Sequence, residues 1–201
     1  MADHEKPDMR TLDPRSLRGL AHPLRIRLLA ALRLDGPATA SQLATRLGES
    51  SGATSYHLRQ LAAHGFVEDD AERGKGRERW WKAAHAMTNL EPALVDAPDA
   101  ETRGAADLFL HEVATIHTQE LSTWLGARAR NDWPKEWVGA ATVSDYTLCL
   151  TPELALELKE KLLRLIDDYR RQAPEPGTPG LAQVRYHLHA LPRTMDGEDA
   201  P

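Results

Sequence analysis

The segment from residue 39 to residue 83 constrains the fold of this chain more than any other part of the sequence. The spacing of its apolar side chains predicts a short helix over 39–47 and a second helix over 51–64. Gly48 suits the left-handed backbone conformation that ends a helix, so the connection between them is a tight turn. Residues 66–83 then predict two short strands around a glycine-containing turn.

Two further helices are predicted before this segment. Asp13-Pro14 is typical of a helix cap followed by a proline at the first helical position, and His22-Pro23 starts the next helix. The last three of these four helices, with a short turn between the final two and a hairpin after them, make a winged helix-turn-helix domain. The predicted fold class is therefore mainly α with small β parts (α+β).

The second half of the chain predicts a long helix over about 100–130, followed by a strand–helix–strand unit. The long helix would measure about 45 Å, which exceeds what a small domain covers alone. We therefore expect it to serve dimerisation together with the first helix, at about 13–20. Residues 143–150 are β-prone, and residues 184–190 alternate between apolar and polar side chains, so each predicts a strand.

Charge is distributed unevenly along the chain, although the formal net charge is only −5. Residues 1–90 carry +3, and residues 91–201 carry −8. Within residues 73–82 there are five cations and one acid. A basic segment joined to an acidic one indicates that the first half binds a polyanion.

Several other classes of protein are excluded by features that the sequence lacks. No apolar run approaches the ~20 residues of a membrane-spanning helix, and the polar first residues do not resemble a secretory signal. We therefore expect a cytoplasmic protein with no membrane partner. The lone cysteine, Cys149, precludes an intramolecular disulfide and is expected to be a small buried residue. No nucleophile elbow, Walker loop or dinucleotide fingerprint is present, so we predict neither an enzyme nor a cofactor.

The helix over 51–64 carries the candidate DNA-binding residues. A helix fits the major groove of double-stranded DNA, and its N-terminal residues reach the base edges. At about 100° per residue, one face of this helix points away from its buried stripe. The residues of this helix predicted to read bases are Gly52, Ala53, Tyr56, His57 and Gln60. Other residues are predicted mainly to hold phosphates, through hydroxyl groups or positive charges. On the helix they are Ser51, Thr54, Ser55 and Arg59, and in the wing they are Arg73, Lys75, Arg77 and Arg79.

The sequence thus predicts three regions. Residues 1–12 form a flexible tail, and residues 13–90 form the winged helix-turn-helix domain. Residues 91–201 contain the long dimerisation helix and a C-terminal region for effector binding or dimerisation. The end of that region, after residue 192, is predicted to be disordered.

Three motifs resemble the ArsR family of bacterial winged-helix repressors. They are residues 21–29 (AHPLRIRLL), 41–47 (SQLATRL) and 54–67 (TSYHLRQLAAHGFV). The resemblance covers about residues 14–85. The acidic remainder is similar to the longer C-terminal extension of some actinobacterial members. The resemblance implies a homodimeric repressor that binds a pseudo-palindromic operator, with the recognition helix at 51–64 and the wing at 66–83, and that a small-molecule effector releases.

The sequence departs from the pattern of the metal-sensing members, which place a Cys-x-Cys pair in the helix before the recognition helix. Residues 41–47 contain no cysteine, so we expect no metal switch at that place. His117 and Glu120 on the long helix are weak candidates for metal ligands, because their i, i+3 spacing brings two ligands to one face. A solvated pair on an amphipathic helix is the simpler interpretation of the same residues.

A second function stays open at this point. The acidic C-terminal region could make the chain a protein- or small-molecule-binding regulatory module, in which the winged helix serves mainly as an interaction domain. Salt dependence separates the two hypotheses, because DNA binding weakens steeply as salt increases and binding through an apolar patch does not.

Overall fold

In the computed structural model, which describes residues 8–71, 73, 78–175 and 177–192, the chain divides into two units. The first unit spans residues 1–132 and the second spans residues 133–201. The long helix belongs to the first unit, so the division differs from the predicted boundary between residues 90 and 91.

The first four helices of the first unit are α1 (Pro14–Leu20), α2 (Pro23–Asp35), α3 (Ala40–Leu47) and α4 (Ser51–Ala63). Local caps explain where they begin. The Asp13 carboxylate accepts a hydrogen bond from the Ser16 backbone N–H at 2.7 Å, and the Ser16 hydroxyl group accepts one from the Asp13 N–H at 2.9 Å. The His22 ring accepts a hydrogen bond from the Leu24 N–H at 3.1 Å. The predicted positions of these helices are confirmed.

The predicted hairpin is an antiparallel pair of strands, β3 (Val67–Asp69) and β4 (Trp80–Ala83), in which Val67 lies opposite Ala83. A third strand, β2 (Ala38–Thr39), pairs with the other edge of β4, so the strand order is β2-β4-β3. With helices α2, α3 and α4, this sheet makes an α+β winged helix-turn-helix domain. Lys75 and Arg77 at the tip of the wing lie outside the described residues.

A second, two-stranded sheet corrects the prediction of a flexible tail over residues 1–12 as far as residues 9–12 are concerned. Residues 1–7 of that predicted tail lie outside the described residues. Strand β1 (Met9–Thr11) pairs in parallel with β5 (Met87–Asn89), and Leu12 beyond it is buried in the core. Arg33 on α2 reinforces β5 by donating a hydrogen bond to the Thr88 hydroxyl group at 2.9 Å. The pairing joins residues nearly eighty positions apart, which no local pattern reveals.

The core of the first unit lies between α1, α2, α3, α4 and the three-stranded sheet. Its large, fully buried side chains are Leu17, Leu20, Leu28, Leu43, Leu58, Leu61 and Phe66, with Trp81 of β4 also buried. Burial of these apolar side chains provides the main driving force for folding. The same packing determines which face of α4 is left for a ligand.

A short helix, α5 (Pro92–Val95), and the long helix α6 (Ala100–Ala129) complete the first unit. The N-terminal part of α6 packs against α1 and α2, and Arg18 of α1 donates a hydrogen bond to the buried Thr102 hydroxyl group at 3.1 Å. Toward its C-terminal end, Leu121 and Leu125 are exposed. The predicted helix over 100–130 is confirmed, and no helix in the described part of the chain is both long and apolar enough to cross a membrane.

The second unit contains α7 (Lys135–Ala140) and α8 (Pro152–Arg171). The prediction of strands over 143–150 and 184–190 is wrong for this structure, because neither segment forms a ladder of backbone hydrogen bonds. An alternating pattern produces a strand only where a neighbouring strand completes the sheet. The prediction that Cys149 is buried is also wrong, since the residue is exposed. The predicted disordered tail after residue 192 lies outside the described residues.

Candidate nucleic-acid interface

Helix α4 presents the face that the sequence predicts for DNA. Ser51, Gly52 and Arg59 are exposed, and Tyr56 has 52% of its surface exposed despite its large apolar ring. The remaining members of this face, which are half-buried at the edges of the helix, are Ala53, Ser55, His57 and Gln60. The first two turns of α4 therefore carry small or polar side chains at the surface, which suits close approach to a groove.

Caps at both ends of α3 and at the start of α4 define the helix-turn-helix. The Thr39 side chain accepts a hydrogen bond from the Gln42 N–H at 3.3 Å, and the Gln42 side chain accepts one from the Thr39 N–H at 2.9 Å. Gly48 ends α3 in the left-handed conformation, with φ of 69° and ψ of 33°. The Ser50 hydroxyl group then accepts a hydrogen bond from the Ala53 N–H at 3.2 Å. This tight, capped turn holds the N-terminal end of α4 at the surface of the domain.

The structure corrects the role predicted for Thr54. Its side chain is completely buried, and the hydroxyl group has no hydrogen-bond partner among the described residues. A buried hydroxyl group cannot reach a DNA phosphate. Thr54 belongs instead to the buried stripe of α4, next to Leu58 and Leu61.

His57 lies half-buried against the start of α2. Its ring centroid is 4.2 Å from that of His22 and 5.0 Å from that of Tyr56, which meets it edge-on. Its Nδ1 atom is buried and has no hydrogen-bond partner in the described part of the chain. Burial, and then the neighbouring His22 and Arg25, hold the pKa of His57 below its ordinary value. The ring is therefore neutral near pH 7, and only Nε2 is left to contact a base.

Acidic side chains on or next to β3 pair with the cations of the wing. The three ion pairs are Arg79–Asp69 at 2.8 Å, Lys82–Glu68 at 3.3 Å and Arg73–Asp70 at 3.6 Å. The charge pattern of residues 73–82 indicated the cations but not these partners, although the acidic run over 68–70 is visible in the sequence. The pairs of Arg79 and Lys82 are exposed, whereas Asp70 is buried. Exposed ion pairs contribute little free energy, so a phosphate can replace the carboxylate of Asp69 as the partner of Arg79.

Arg79 is also held by stacking. Its guanidinium group lies 4.2 Å from the ring centroid of Trp81, which is buried and anchors β4 to the domain. An open groove runs beside it between α3, α4 and the wing, and its lining includes Ser55, Arg59 and Arg79. The structure therefore brings together hydroxyl and guanidinium groups from the helix and the wing, as the sequence predicts.

Glu78 also lines this groove, and the sequence pattern did not indicate it as a site residue. Its carboxylate accepts a hydrogen bond from the Ser41 hydroxyl group on α3, at 3.4 Å. A carboxylate so close to the predicted phosphate contacts opposes a second phosphate at this point. It is also able to accept a hydrogen bond from the amino group of a cytosine.

The weak metal candidates are half-buried residues of α6. His117 and Glu120 lie one turn apart on this helix, as their spacing predicts. Within the described residues, no group of three or more His, Cys, Asp or Glu side chains is placed to hold a metal ion.

Residues 20–70 match the family model of a helix-turn-helix domain. The matched segment runs from the end of α1 to the end of β3 and so contains the whole of α4. It supports a DNA-binding regulator, since a helix-turn-helix presents its second helix to the major groove.

Two further comparisons complete these findings. The solved structure of a double mutant of Lactococcus lactis ZitR, in its apo form, is similar over 78% of this chain and 83% of that chain. The sequence identity is 16% and the TM-score is 0.28. No curated protein matches the sequence.

Proposed function

We propose that this chain is a sequence-specific transcriptional repressor of the ArsR type. In this proposal it acts in the cytoplasm as a homodimer on double-stranded DNA, and it has no enzymatic activity and no cofactor. Two copies of α4 enter successive major grooves of a pseudo-palindromic operator, about 10 base pairs apart. A small-molecule effector acts on the C-terminal region and releases the DNA.

The observation that carries the proposal is the exposed, largely polar face of α4 beside the cationic wing. Gly52, Tyr56 and Gln60 would read bases, because they lie along the outward side of the helix. Arg59 and Arg79 line the same groove and would hold phosphates. A protein interface would instead present an apolar centre depleted of charge.

The homodimer is proposed to use α1 and α6. Leu110, Leu121 and Leu125 of α6 are exposed in the single chain. Burial of such a stripe against a second copy would remove apolar surface from water, which favours association. A two-fold symmetric protein then requires an operator with matching symmetry.

The first experiment is the selection of bound duplexes from a random DNA pool, with retention compared at low and moderate salt. An enriched inverted repeat, with retention that falls steeply as salt rises, would support a dimeric, sequence-specific regulator. Retention without a motif would indicate a non-specific DNA binder. No retention at either salt concentration would contradict the proposal.

Two variants assign roles within the site. Gln60→Ala should change the base preference at one position of each half-site, whereas Arg59→Ala should weaken binding to all sequences and reduce the salt slope by about 1. Fluorescence anisotropy with the selected operator, and with operators changed at single positions, measures both effects. If Arg59→Ala changed preference and left the salt slope intact, its assignment as a phosphate contact would be wrong.

A second function is favoured by one specific observation, the exposed apolar face of α8 in the acidic second unit. In this alternative the chain is a protein- or small-molecule-binding regulatory module, and the winged helix is mainly an interaction domain. Binding through that face would change little with salt. Retention of DNA in the selection experiment would count against this alternative.

A further inference from the structure

Most apolar residues of α8 are exposed in the single chain. Five residues on one side of the helix form the α8 leucine face, in which Leu154, Leu158, Leu165 and Tyr169 are exposed and Leu162 is half-buried. Leu165 is 53% exposed and Tyr169 is 68% exposed. The charged side of the helix is held by ion pairs along its own length, such as Glu157–Lys161 at 2.6 Å. A helix with one apolar side and one charged side needs a covering partner on the apolar side.

The neighbouring segments of the second unit do not supply this cover. The segments around Leu148 and Leu188 keep their own apolar side chains exposed, at 59% and 44%. Neither forms a strand in the described residues. Within the described part of the second unit, most of the α8 leucine face is therefore left uncovered.

The charge distribution along α8 indicates what that molecule is. Residues 152–160 carry a formal net charge of −2, and residues 161–171 carry +2. Two copies of this helix in parallel would bring like charges together. Two antiparallel copies would bring the acidic half of each helix beside the basic half of the other, and opposed helix dipoles add to the preference.

The spacing of the α8 leucine face also reads nearly the same in both directions. Its members follow one another at intervals of four, four, three and four residues. An antiparallel copy therefore places Leu158 opposite Leu165 and Leu154 opposite Tyr169, with Leu162 near the centre. A surface that matches its own rotated copy is what a two-fold interface requires.

We propose that the α8 leucine face docks against the same face of a second copy of this chain, with the two helices antiparallel around a two-fold axis near Leu162. This interface depends neither on DNA binding nor on the dimerisation that we assign to α1 and α6. In this proposal the second unit contributes its own interface to the assembly of two copies.

Disulfide cross-linking of the full chain tests the proposal. In a Cys149→Ser background, Leu162→Cys places a thiol group close to the two-fold axis, where it meets its own copy. Mild oxidation should shift this variant from the monomer mass to twice that mass on a non-reducing gel, and reductant should reverse the shift. The matched control is Glu160→Cys in the same background, on the charged side of α8, which should remain monomeric.

The orientation is tested by mixing two variants in the Cys149→Ser background. Leu154→Cys and Tyr169→Cys should cross-link to one another, and each should cross-link poorly with itself. Preferential cross-linking of Leu154→Cys with itself would indicate a parallel pair and overturn the proposal. A Leu162→Cys variant that stays monomeric, or that cross-links no better than the control, would also overturn it.

A measurement without substitutions guards against variants that fail to fold. Amide hydrogen exchange in α8 of the unmodified chain should slow as the protein concentration rises, because the second copy then covers the helix. Fast exchange in α8 at concentrations where the chain is dimeric would contradict docking of a second copy. Slow exchange that persists at dilutions where the chain is monomeric would mean that the chain itself covers the face, and would equally reject the proposal.

Discussion

Thr54 offers a direct test of how α4 is anchored, because its hydroxyl group is buried without a hydrogen-bond partner among the described residues. An unsatisfied buried hydroxyl group costs about 1–3 kcal/mol. Valine has nearly the same shape and places a methyl group where the hydroxyl group was. We therefore expect Thr54→Val to raise the free energy of unfolding by about 1 kcal/mol or more. The matched control, Thr54→Ser, keeps the hydroxyl group, removes a buried methyl group and should lower that free energy by about 1 kcal/mol.

Urea unfolding of the full chain, followed by circular dichroism, measures both variants of Thr54. The change should appear as a shift of the midpoint at constant slope. Anisotropy with the selected operator should show unchanged DNA affinity for the valine variant, because the side chain does not reach the surface. A valine variant that is less stable would mean that the hydroxyl group has a partner. A folded valine variant that binds DNA several-fold more weakly would restore Thr54 as a phosphate contact.

Three further substitutions or conditions test other parts of the structure. The pKa values of His22 and His57 are lowered, first by burial and then by neighbouring charges, so below about pH 6.5 the unfolded chain binds protons that the folded chain does not. The free energy of unfolding should therefore be constant above that pH and fall as the pH is lowered further. Equal urea midpoints at about pH 7.5 and about pH 5.5 would refute this. A side chain on Gly19 would overlap the His64 ring, so Gly19→Ala should lower the free energy of unfolding by about 1–3 kcal/mol. His64→Ala should restore most of that loss in a double-mutant cycle, and additive losses would argue against the overlap. Asp69→Asn removes the carboxylate that pairs with Arg79, so it should strengthen DNA binding and steepen the salt slope by about 1. Weaker binding would contradict the proposal that Asp69 and a DNA phosphate compete for Arg79.

The local signals of the sequence predicted α4 and the wing closely. Helix α4 ends at Ala63, one residue before the predicted end. Gly48 and Ser50 cap α3 and α4 where the sequence indicates, because each cap acts through neighbouring backbone groups. The prediction failed at Thr54, which lies on the shoulder of the buried stripe. Whether a shoulder position is covered depends on the helices packed against it, and periodicity within α4 does not contain that information.

Features that join distant residues were less accessible from the sequence. The pairing of β1 with β5 depends on residues 9–11 meeting residues 87–89, and nothing in the short polar run at the N-terminus indicates a strand. Conversely, the alternating pattern over 184–190 predicts a strand, but this segment pairs with no neighbouring strand among the described residues. A strand requires a neighbour, and a single sequence does not specify which segment provides it.

The ion pairs of the wing change how its positive charge can act on DNA. A phosphate that approaches Arg79 must replace the carboxylate of Asp69, which then remains close to the DNA without its partner. The exchange gains one favourable contact and leaves one repulsive one, so the wing contributes less affinity than five cations alone suggest. Because Arg79 also stacks on Trp81, we expect its guanidinium group to keep the same orientation when the carboxylate is replaced. Under the proposed function, we therefore expect discrimination between DNA sequences to come mainly from α4, and the wing to orient that helix on the duplex.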